Sequence, residues 1–383
     1  MAARTREGYA GYLSGGAAAW PDRVALRFEG TSWTYAELQS AVECASAVLA
    51  AAGVVAGDRV GLLVDNVPQY LIAQFALARL GAAFVTPNAH WTPAEIARAL
   101  EAVALTAVVY NERLADVAVG YPVAVPVDSL NDEAGPAPGP AVVESEGELF
   151  VPFSSGTTGF PKGVVHTQSS VCGAVEQLRH HLALTSEDRL PIALPLCHVF
   201  GTTIVAAALI VGAQLTLLRR FNLDDMLGLA RAGDATIWPL AGAAAHQLAW
   251  REDLRAKDFR SLRFFMWGGS AIPVQLAEDI TSRTGVRFLT SYGMTEAMAV
   301  AFNPVDQPWS WRLDSPGYPT LGTELRLGDN GGIEVRGPSV AVGYAGQQSP
   351  DFLPDGWFRT GDLGRVGDDG RLMIVDRIKD MIK

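Results

Sequence analysis

Strand and helix signals alternate through the first third of the chain, and that alternation limits what it can fold into. The segment "TYAELQSAVECASAVLAAAG" opens at Thr34, carries Glu37 at the next turn and stops at Gly53. A cap hydroxyl with a carboxylate at the third helical position satisfies two backbone amides that a helix start leaves unpaired. Glycine readily takes the left-handed conformation that ends a helix. "DRVGLLV" follows as a buried strand, Val67 to Leu80 as a helix closed by Gly81, and "AAFVTPN" as a strand running into a turn. "TPAEIARALEAV" repeats the start signal, with Thr92 as cap, Pro93 preset for the first helical position and Glu95 completing the box. "LTAVVY" is another apolar strand. Apolar strands separated by helices predict a parallel sheet covered on both faces.

A chain of 383 residues exceeds one comfortable core, so subdomains are expected. Residues Asn131 to Gly147 are rich in proline, glycine and acid and read as a surface connection. "ELFVPF" is then a short strand that delivers "FSSGTTGFPKGVV" at its C-terminal end, where open α/β sheets bind ligands. A second alternating block runs from Arg189 to Tyr292. Its strands are "ATIWPL", "LRFFMWGG" and "VRFLTSYG", with "PVQLAEDITSRTG" as a helix. Thr203 to Leu218 is the most apolar stretch, but Gly212 and Gln214 interrupt it. It reads as a buried helix entering a strand, not a membrane span. After Pro304 helices vanish and strands shorten, as in "GGIEVRG" and "GRLMIVD". The expected fold class is α/β. Two mostly parallel sheets with flanking helices form layered subdomains over about residues 1–303, and a small distorted β-barrel-like subdomain covers 304–378.

The formal charge is −11 and no basic run exceeds Arg219-Arg220, which argues against a nucleic-acid partner. It does not argue against ATP, since loop amides and a local lysine can hold phosphates. Cys44, Cys172 and Cys197 lie far apart and show neither metal-ligand nor disulfide spacing, so reduced thiols are expected. "MAARTREGYAGYL" lacks the apolar core of a signal peptide. We expect a soluble cytoplasmic protein without a membrane span, and leave a homodimer open.

The glycine-rich stretch is not a nucleotide-triphosphatase loop. That pattern needs Gly-Lys-Ser/Thr at a fixed distance from its first glycine, whereas here Pro161 precedes Lys162 and Gly163 follows it. Successive amides in such a turn can still cradle an anion. Ser154, Ser155, Thr157 and Thr158 add hydroxyls, Lys162 adds a cation, and Pro161 stiffens the loop. The plain alternative is a surface turn. Four further stretches stand out: "MWGGSAIP" from Met266, "SYGMTE" from Ser291, "WFRTGDLG" with Asp362 in a turn, and "VDRIKD" with Arg377 beside a strand end. Each alone could be a turn, a cap or a solvated charge.

In this order, "SSGTTGFPKG", "YGMTE", "TGDLG" and "DRIKD" resemble the adenylate-forming superfamily of acyl-CoA synthetases, peptide-synthetase adenylation domains and luciferases. The resemblance covers nearly the whole chain and matches the large N-terminal domain. It implies that Ser154, Ser155, Gly156, Thr157, Thr158, Gly159 and Lys162 hold the β- and γ-phosphates of ATP. Gly269, Ser270 and Ala271 would pass along the adenine. The Ser291, Tyr292, Gly293, Met294 stretch would follow the nucleotide, with Tyr292 stacked on the base. Thr295 would reach the α-phosphate region, Glu296 would hold Mg²⁺, Asp362 would accept from both ribose hydroxyls, and Arg377 would also touch the ribose.

A lone histidine beside an apolar run is usually a core residue, but "PLCHVFG" resembles the family segment that places His198 beside the substrate carboxylate. His180-His181 reads as surface and His166 as structural. The expected pocket walls are His198, Phe200, Gly201, Gly242, Trp267, Gly268 and Met294. No acid follows His198 to hold an amino group, and no cation follows until Arg219, which disfavours amino acids and malonate-type acids. If the alanines 243–245 line the pocket, the acid is bulky and apolar: fatty, aryl or polycyclic. Helix packing explains that run equally well.

The implied reaction is ATP-dependent activation of an apolar carboxylic acid to acyl-AMP, with pyrophosphate release and transfer to the CoA thiol. A carrier-protein thiol is the alternative acceptor, and a non-catalytic binder of nucleotide or acyl adenylate the alternative of another class. Intact Lys162, Glu296 and Asp362 argue against the last. By resemblance, Lys379 opens a hinge at 379–383, and a small C-terminal domain with a catalytic lysine is expected beyond it. A chain without that domain is expected to adenylate poorly.

Overall fold

The computed structural model describes residues 8–132, 134–154, 161–240 and 242–377. The helix starts follow the caps. Thr34 and Thr92 each accept from the backbone N–H of a glutamate that bonds back to the cap, opening helices Tyr35–Ala51 and Pro93–Glu101. Helix Pro68–Leu80 ends at Gly81, whose φ of +75° glycine adopts without steric cost.

A seven-stranded sheet runs in the order Gly343–Tyr344, Lys162–Thr167, Glu148–Ser154, Ala83–Thr86, Arg59–Leu63, Ala107–Tyr110, Val123–Pro126. The five strands from Glu148–Ser154 onward pair in parallel, and the first two join antiparallel. A second layer comes in two pieces. One contains Thr31–Thr34, Val24–Phe28, Gln214–Leu217 and Arg189–Ile192. The other contains Ile237–Leu240, Phe264–Trp267, Phe288–Tyr292, Ala301–Phe302 and Tyr318–Pro319. The pieces meet where Thr236 N donates to Arg189 O at 2.8 Å. Buried Asp188 fastens this seam. It accepts from Thr236 Oγ1 at 2.7 Å, from Thr185 N at 2.9 Å, and from Arg263 Nη1 at 2.9 Å to each oxygen.

Helices Pro68–Leu80 and Val199–Leu209 are apolar on nearly every side, as helices enclosed by other layers must be. They share one continuous core with both layers. The apolar Thr203 to Leu218 stretch is therefore a buried helix followed by strand Gln214–Leu217. Among the described residues no helix is long and apolar enough to cross a membrane.

Beyond Pro304 the chain is β-rich as expected. Strands Glu324–Leu327, Gly332–Arg336, Phe358–Val366 and Leu372–Arg377 form an open antiparallel sheet. The region is stitched into the rest: Tyr318–Pro319 extends the second layer and Gly343–Tyr344 extends the seven-stranded sheet. Two local expectations need correction. His181 is not a surface residue; its Nε2 accepts from Leu321 N at 3.0 Å and its ring stacks on Phe302. Asp362 lies within strand Phe358–Val366 and not in a turn.

Replacing Asp188 by alanine removes the shared acceptor of the Thr236 hydroxyl, the Thr185 amide and the Arg263 guanidinium at the seam. We expect a loss of about 3 kcal/mol of unfolding free energy, read as a lower urea midpoint at unchanged slope. A midpoint unchanged from the parent would show that the seam does not depend on this carboxylate.

Candidate active site

Strands Glu148–Ser154 and Lys162–Thr167 form a hairpin in which Ser154 lies opposite Lys162. Ser155, Gly156, Thr157, Thr158 and Gly159 lie outside the described residues. The Lys162 ammonium sits 5.0 Å from the centre of the Tyr344 ring. That ring comes from the β-rich region, because Tyr344 pairs with Val164 on the outer edge of the hairpin.

The Thr295-Glu296 turn leaves the end of strand Phe288–Tyr292. A Cβ on Gly293 would lie 2.4 Å from Met298 O, so the tight return of the chain requires glycine there. Met294 N donates to Ala297 O at 2.9 Å, and Ala341 N donates to Glu296 O at 2.9 Å. His166 holds the turn from the other side, with its Nε2 2.7 Å from Thr295 O and its Nδ1 3.2 Å from Ser170 Oγ. Nε2 faces a carbonyl and must carry the proton, leaving Nδ1 to accept from the Ser170 hydroxyl. Burial lowers the His166 pKa to about 4, so the ring is neutral near pH 7. The Glu296 carboxylate is 9% exposed, and its Oε1 accepts from Tyr344 OH at 2.9 Å. Burial first, and the Glu296 charge second, hold the Tyr344 phenol protonated as a donor.

Asp362 is buried at 3% exposure and lies opposite Arg377 on the next strand. It accepts from Tyr292 OH at 2.6 Å and from Arg377 Nε at 3.0 Å. Tyr292 is itself kept protonated by burial and then by the Asp362 charge. Behind Tyr292, Ser291 Oγ donates to Trp267 O at 2.9 Å, and a Cβ on Gly268 would lie 2.9 Å from that hydroxyl. Gly269, at φ +83°, Ser270 and Ala271 are exposed. The Trp267 side chain is in the core and donates from Nε1 to Ser270 O at 2.7 Å, so it shapes the 268–271 turn from beneath.

His198 caps helix Val199–Leu209 and reaches solvent, though the protein crowding it lowers its pKa. Its loop is pinned to the first sheet. Asn66 Nδ2 donates to Leu194 O at 2.7 Å, Leu196 N donates to Asn66 Oδ1 at 2.8 Å, and Thr86 Oγ1 donates to Cys197 O at 2.9 Å. Gly201 is buried, and its Cβ would lie 2.4 Å from Pro195 O, so it shapes the loop from below; Phe200 is half-buried. Gly242 opens helix Gly242–Ala249 with nothing within 4 Å of the place a Cβ would take. Of the following alanines Ala243 is exposed and Ala245 buried. Ala245 and, in part, Ala244 pack on the second core, while Ala243 faces solvent.

Residues 14–345 match the protein family described as AMP-binding enzyme. The chain belongs to that family. This AMP-binding enzyme is 32% identical to 4-coumarate–CoA ligase 3 of Oryza sativa subsp. japonica, over 92% of this chain and 71% of the relative. It is also 32% identical to a feruloyl-CoA synthase of Amycolatopsis, over 94% of this chain and 77% of the relative. Among solved structures, the inhibitor-bound N-terminal domain of FACL13 from Mycobacterium tuberculosis superposes with a TM-score of 0.88 at 25% identity, covering 97% of this chain and 99% of that one. O-succinylbenzoate coenzyme A synthetase of Bacillus subtilis, in complex with ATP and magnesium, gives 0.88 at 27% identity, covering 96% of this chain and 80% of that one.

Four residues that hold the AMP-binding enzyme's site together were missed in the sequence: Asn66, Thr86, His166 as the Thr295 anchor, and Tyr344. Each acts across a long sequence separation, so no local pattern reports it.

His166 makes a pH prediction. An unfolded-chain histidine titrates near 6.5 and the folded one near 4. Below 6.5 the unfolded state binds more protons, so the contribution is whole above 6.5 and is lost as pH falls toward 4. Between pH 7 and 5 this histidine should cost about 2 kcal/mol of stability. His166→Gln should remove that part of the decline in urea melts at the two pH values. An equally steep decline in the variant would show that His166 is not the buried neutral group.

Proposed function

We propose that this AMP-binding enzyme is an acid–thiol ligase. It joins an apolar carboxylic acid to the α-phosphate of ATP, releases pyrophosphate, and passes the acyl group to the CoA thiol. The observation that carries the proposal is Asp362, a buried carboxylate flanked by Tyr292 and Arg377. Its remaining acceptor capacity suits the paired hydroxyls of a ribose, and charge-assisted bonds of that kind are strong. In the proposed reaction a substrate carboxylate oxygen forms a bond to the α-phosphorus while the bond to pyrophosphate breaks. Such an in-line displacement needs positioning and charge neutralisation more than covalent help. Lys162 would face the leaving phosphates, Thr295 the α-phosphate region, and His198 the acid.

Glu296 is suited to magnesium. Among the described residues there is no cluster of three or more metal-binding side chains. A single carboxylate fits an ion that takes its other ligands from phosphate oxygens and water. When bound, that ion would neutralise phosphate charge. Glu296 would orient it, and Tyr344 would orient Glu296.

The apolar acid is supported by the surroundings of His198. The apolar, half-buried Val199 and Phe200 follow it, and no carboxylate or cation stands in the helix Val199–Leu209 that they open. The 4-coumarate and feruloyl relatives point to aryl acids within that class. A desolvated ammonium without a carboxylate partner would be costly in such a pocket. Pyrophosphate release across a panel of hydroxycinnamic, fatty and α-amino acids should favour the first two groups. Preference for an amino acid would overturn the reading.

A second measurement addresses the nucleotide end. Asp362→Asn keeps the side-chain shape and removes the charge. It should weaken AMP binding by about 2 kcal/mol, roughly thirtyfold in Kd by calorimetry. AMP bound as tightly as by the parent would remove the ribose role from Asp362.

A further inference from the structure

Tyr344 stands between two side chains of opposite charge. Its hydroxyl donates to Glu296 Oε1 at 2.9 Å, and its ring face carries the Lys162 ammonium 5.0 Å from the ring centre. Among the described residues no ion pair joins Lys162 or Glu296 to any partner, although the chain pairs most of its other buried and half-buried carboxylates with arginine. The ring itself is fixed. Strand Gly343–Tyr344 is hydrogen-bonded to the hairpin, Ala345 N donates to Gly163 O at 2.8 Å, and Val342 N donates to Val165 O at 3.0 Å. Phe352 meets the ring edge-on at 5.3 Å and packs in turn on Phe358. Glu296 is equally fixed through its backbone carbonyl.

An ammonium and a carboxylate left next to each other in a half-buried site pair with each other. Each then becomes a poorer ligand for anything else, because its charge is already neutralised. We propose that Tyr344 is an insulating positioning residue. It prevents an internal Lys162–Glu296 ion pair, so that the ammonium stays available to phosphate oxygens and the carboxylate to a cation. A phenol suits this task at both ends. Its hydroxyl orients a carboxylate without cancelling its charge, and its π-face holds a cation more weakly than a carboxylate would. The proposal rests on the reading of Lys162 and Glu296 as phosphate- and cation-facing groups.

The ring contact can be tested without any ligand. The chain has four lysines: Lys162, Lys257, Lys379 and Lys383. Reductive ¹³C-methylation labels them and keeps their charge. The Lys162 methyl signal, identified by its loss in Lys162→Arg, should be shifted upfield by the ring in the parent and in Tyr344→Phe, and not in Tyr344→Ala. A Lys162 signal at the free-lysine position in the parent would overturn the contact.

The insulating role is tested by binding of α,β-methylene-ATP in EDTA, followed by calorimetry. Tyr344→Ala lets Lys162 pair with Glu296 and should weaken binding about tenfold. Adding Glu296→Gln should then release the ammonium and restore binding to within about threefold of the parent. In the Tyr344 background Glu296→Gln should bring far less gain. Equal gains in both backgrounds would show that the two charges act independently and would overturn the proposal. Tyr344→Phe, which keeps the spacer, should behave as the parent does toward Glu296→Gln. A gain in that variant as large as the one expected with alanine would overturn the ring as the insulator, and it remains measurable if the alanine variant does not fold. An upfield Lys162 signal combined with no measurable nucleotide binding in the parent would instead count against the function proposed above.

Discussion

The pairing of Gly343–Tyr344 onto the outer edge of the Lys162–Thr167 strand is the contact on which the site depends. The seven-stranded sheet is parallel through its middle, where apolar strands are covered by helices on both faces. Its last parallel strand, Glu148–Ser154, turns back through an antiparallel hairpin and leaves an edge with unpaired backbone groups. Exposed edges of that kind invite uncontrolled pairing. Here the β-rich region covers it. The same two residues that close the edge bring Tyr344 to Lys162 and Glu296, so edge protection and site assembly are one structural event. Residues Ser339 to Ala341, just before that strand, bond to Met298 and Glu296 and fasten the Thr295-Glu296 turn to the same region.

The buried carboxylates of this chain fall into two kinds by what neutralises them. Asp188 is buried with an arginine on both oxygens and hydroxyl and amide donors around it. Nothing is left for a ligand, and its place at a sheet seam is structural. Glu296 is buried beside a neutral phenol only, among the described residues. A buried charge in that state is costly and favours any cation that can reach it. Asp362 lies between these cases. It has a tyrosine hydroxyl and a single guanidinium nitrogen, and the Arg377 side chain is 64% exposed, so that ion pair is weakened by solvent. The degree of compensation separates the carboxylate that holds the fold from those left with acceptor capacity to spare.

What the sequence made legible follows from the range of the interactions involved. The capping boxes at Thr34 and Thr92, the Gly81 stop and the alternation of strands and helices are local, and the structure contains them. Of the motif residues, Tyr292, Asp362 and Arg377 come together through hydrogen bonds, and Glu296 is joined to Tyr344. Trp267 shows the limit. Its strand ends at the site, but the side chain points inward, and only its backbone and its bond to Ser270 bear on the turn. Asp362 follows Gly361, whose φ is +77°, and precedes a register shift between Leu363 and Gly364, so what looks like a turn in sequence is a distorted strand in space. His166 and Tyr344 could not be read at all. Their partners, Thr295 and Glu296, are 129 and 48 residues away, and only the stacking of the hairpin between two other strands brings them close.

The two ends of the proposed site are held by overlapping parts of the molecule. The His198 loop is anchored to the first sheet through Asn66 and Thr86, side chains at the C-terminal ends of parallel strands or just past them. The proposed nucleotide end is held by Asp362 in the antiparallel sheet, by Tyr344 on the edge of the seven-stranded sheet, and by the backbone near Ser339. Strand Phe288–Tyr292 contributes Tyr292 to the Asp362 cluster. The two ends therefore share the seven-stranded sheet, with Thr86 on its strand Ala83–Thr86 and Lys162 and Tyr344 on its outer strands. Of these residues Asp362 alone is braced by the separate antiparallel sheet, so a substitution that shifts the seven-stranded sheet reaches His198, Lys162 and Tyr344 together and reaches Asp362 only through Tyr292.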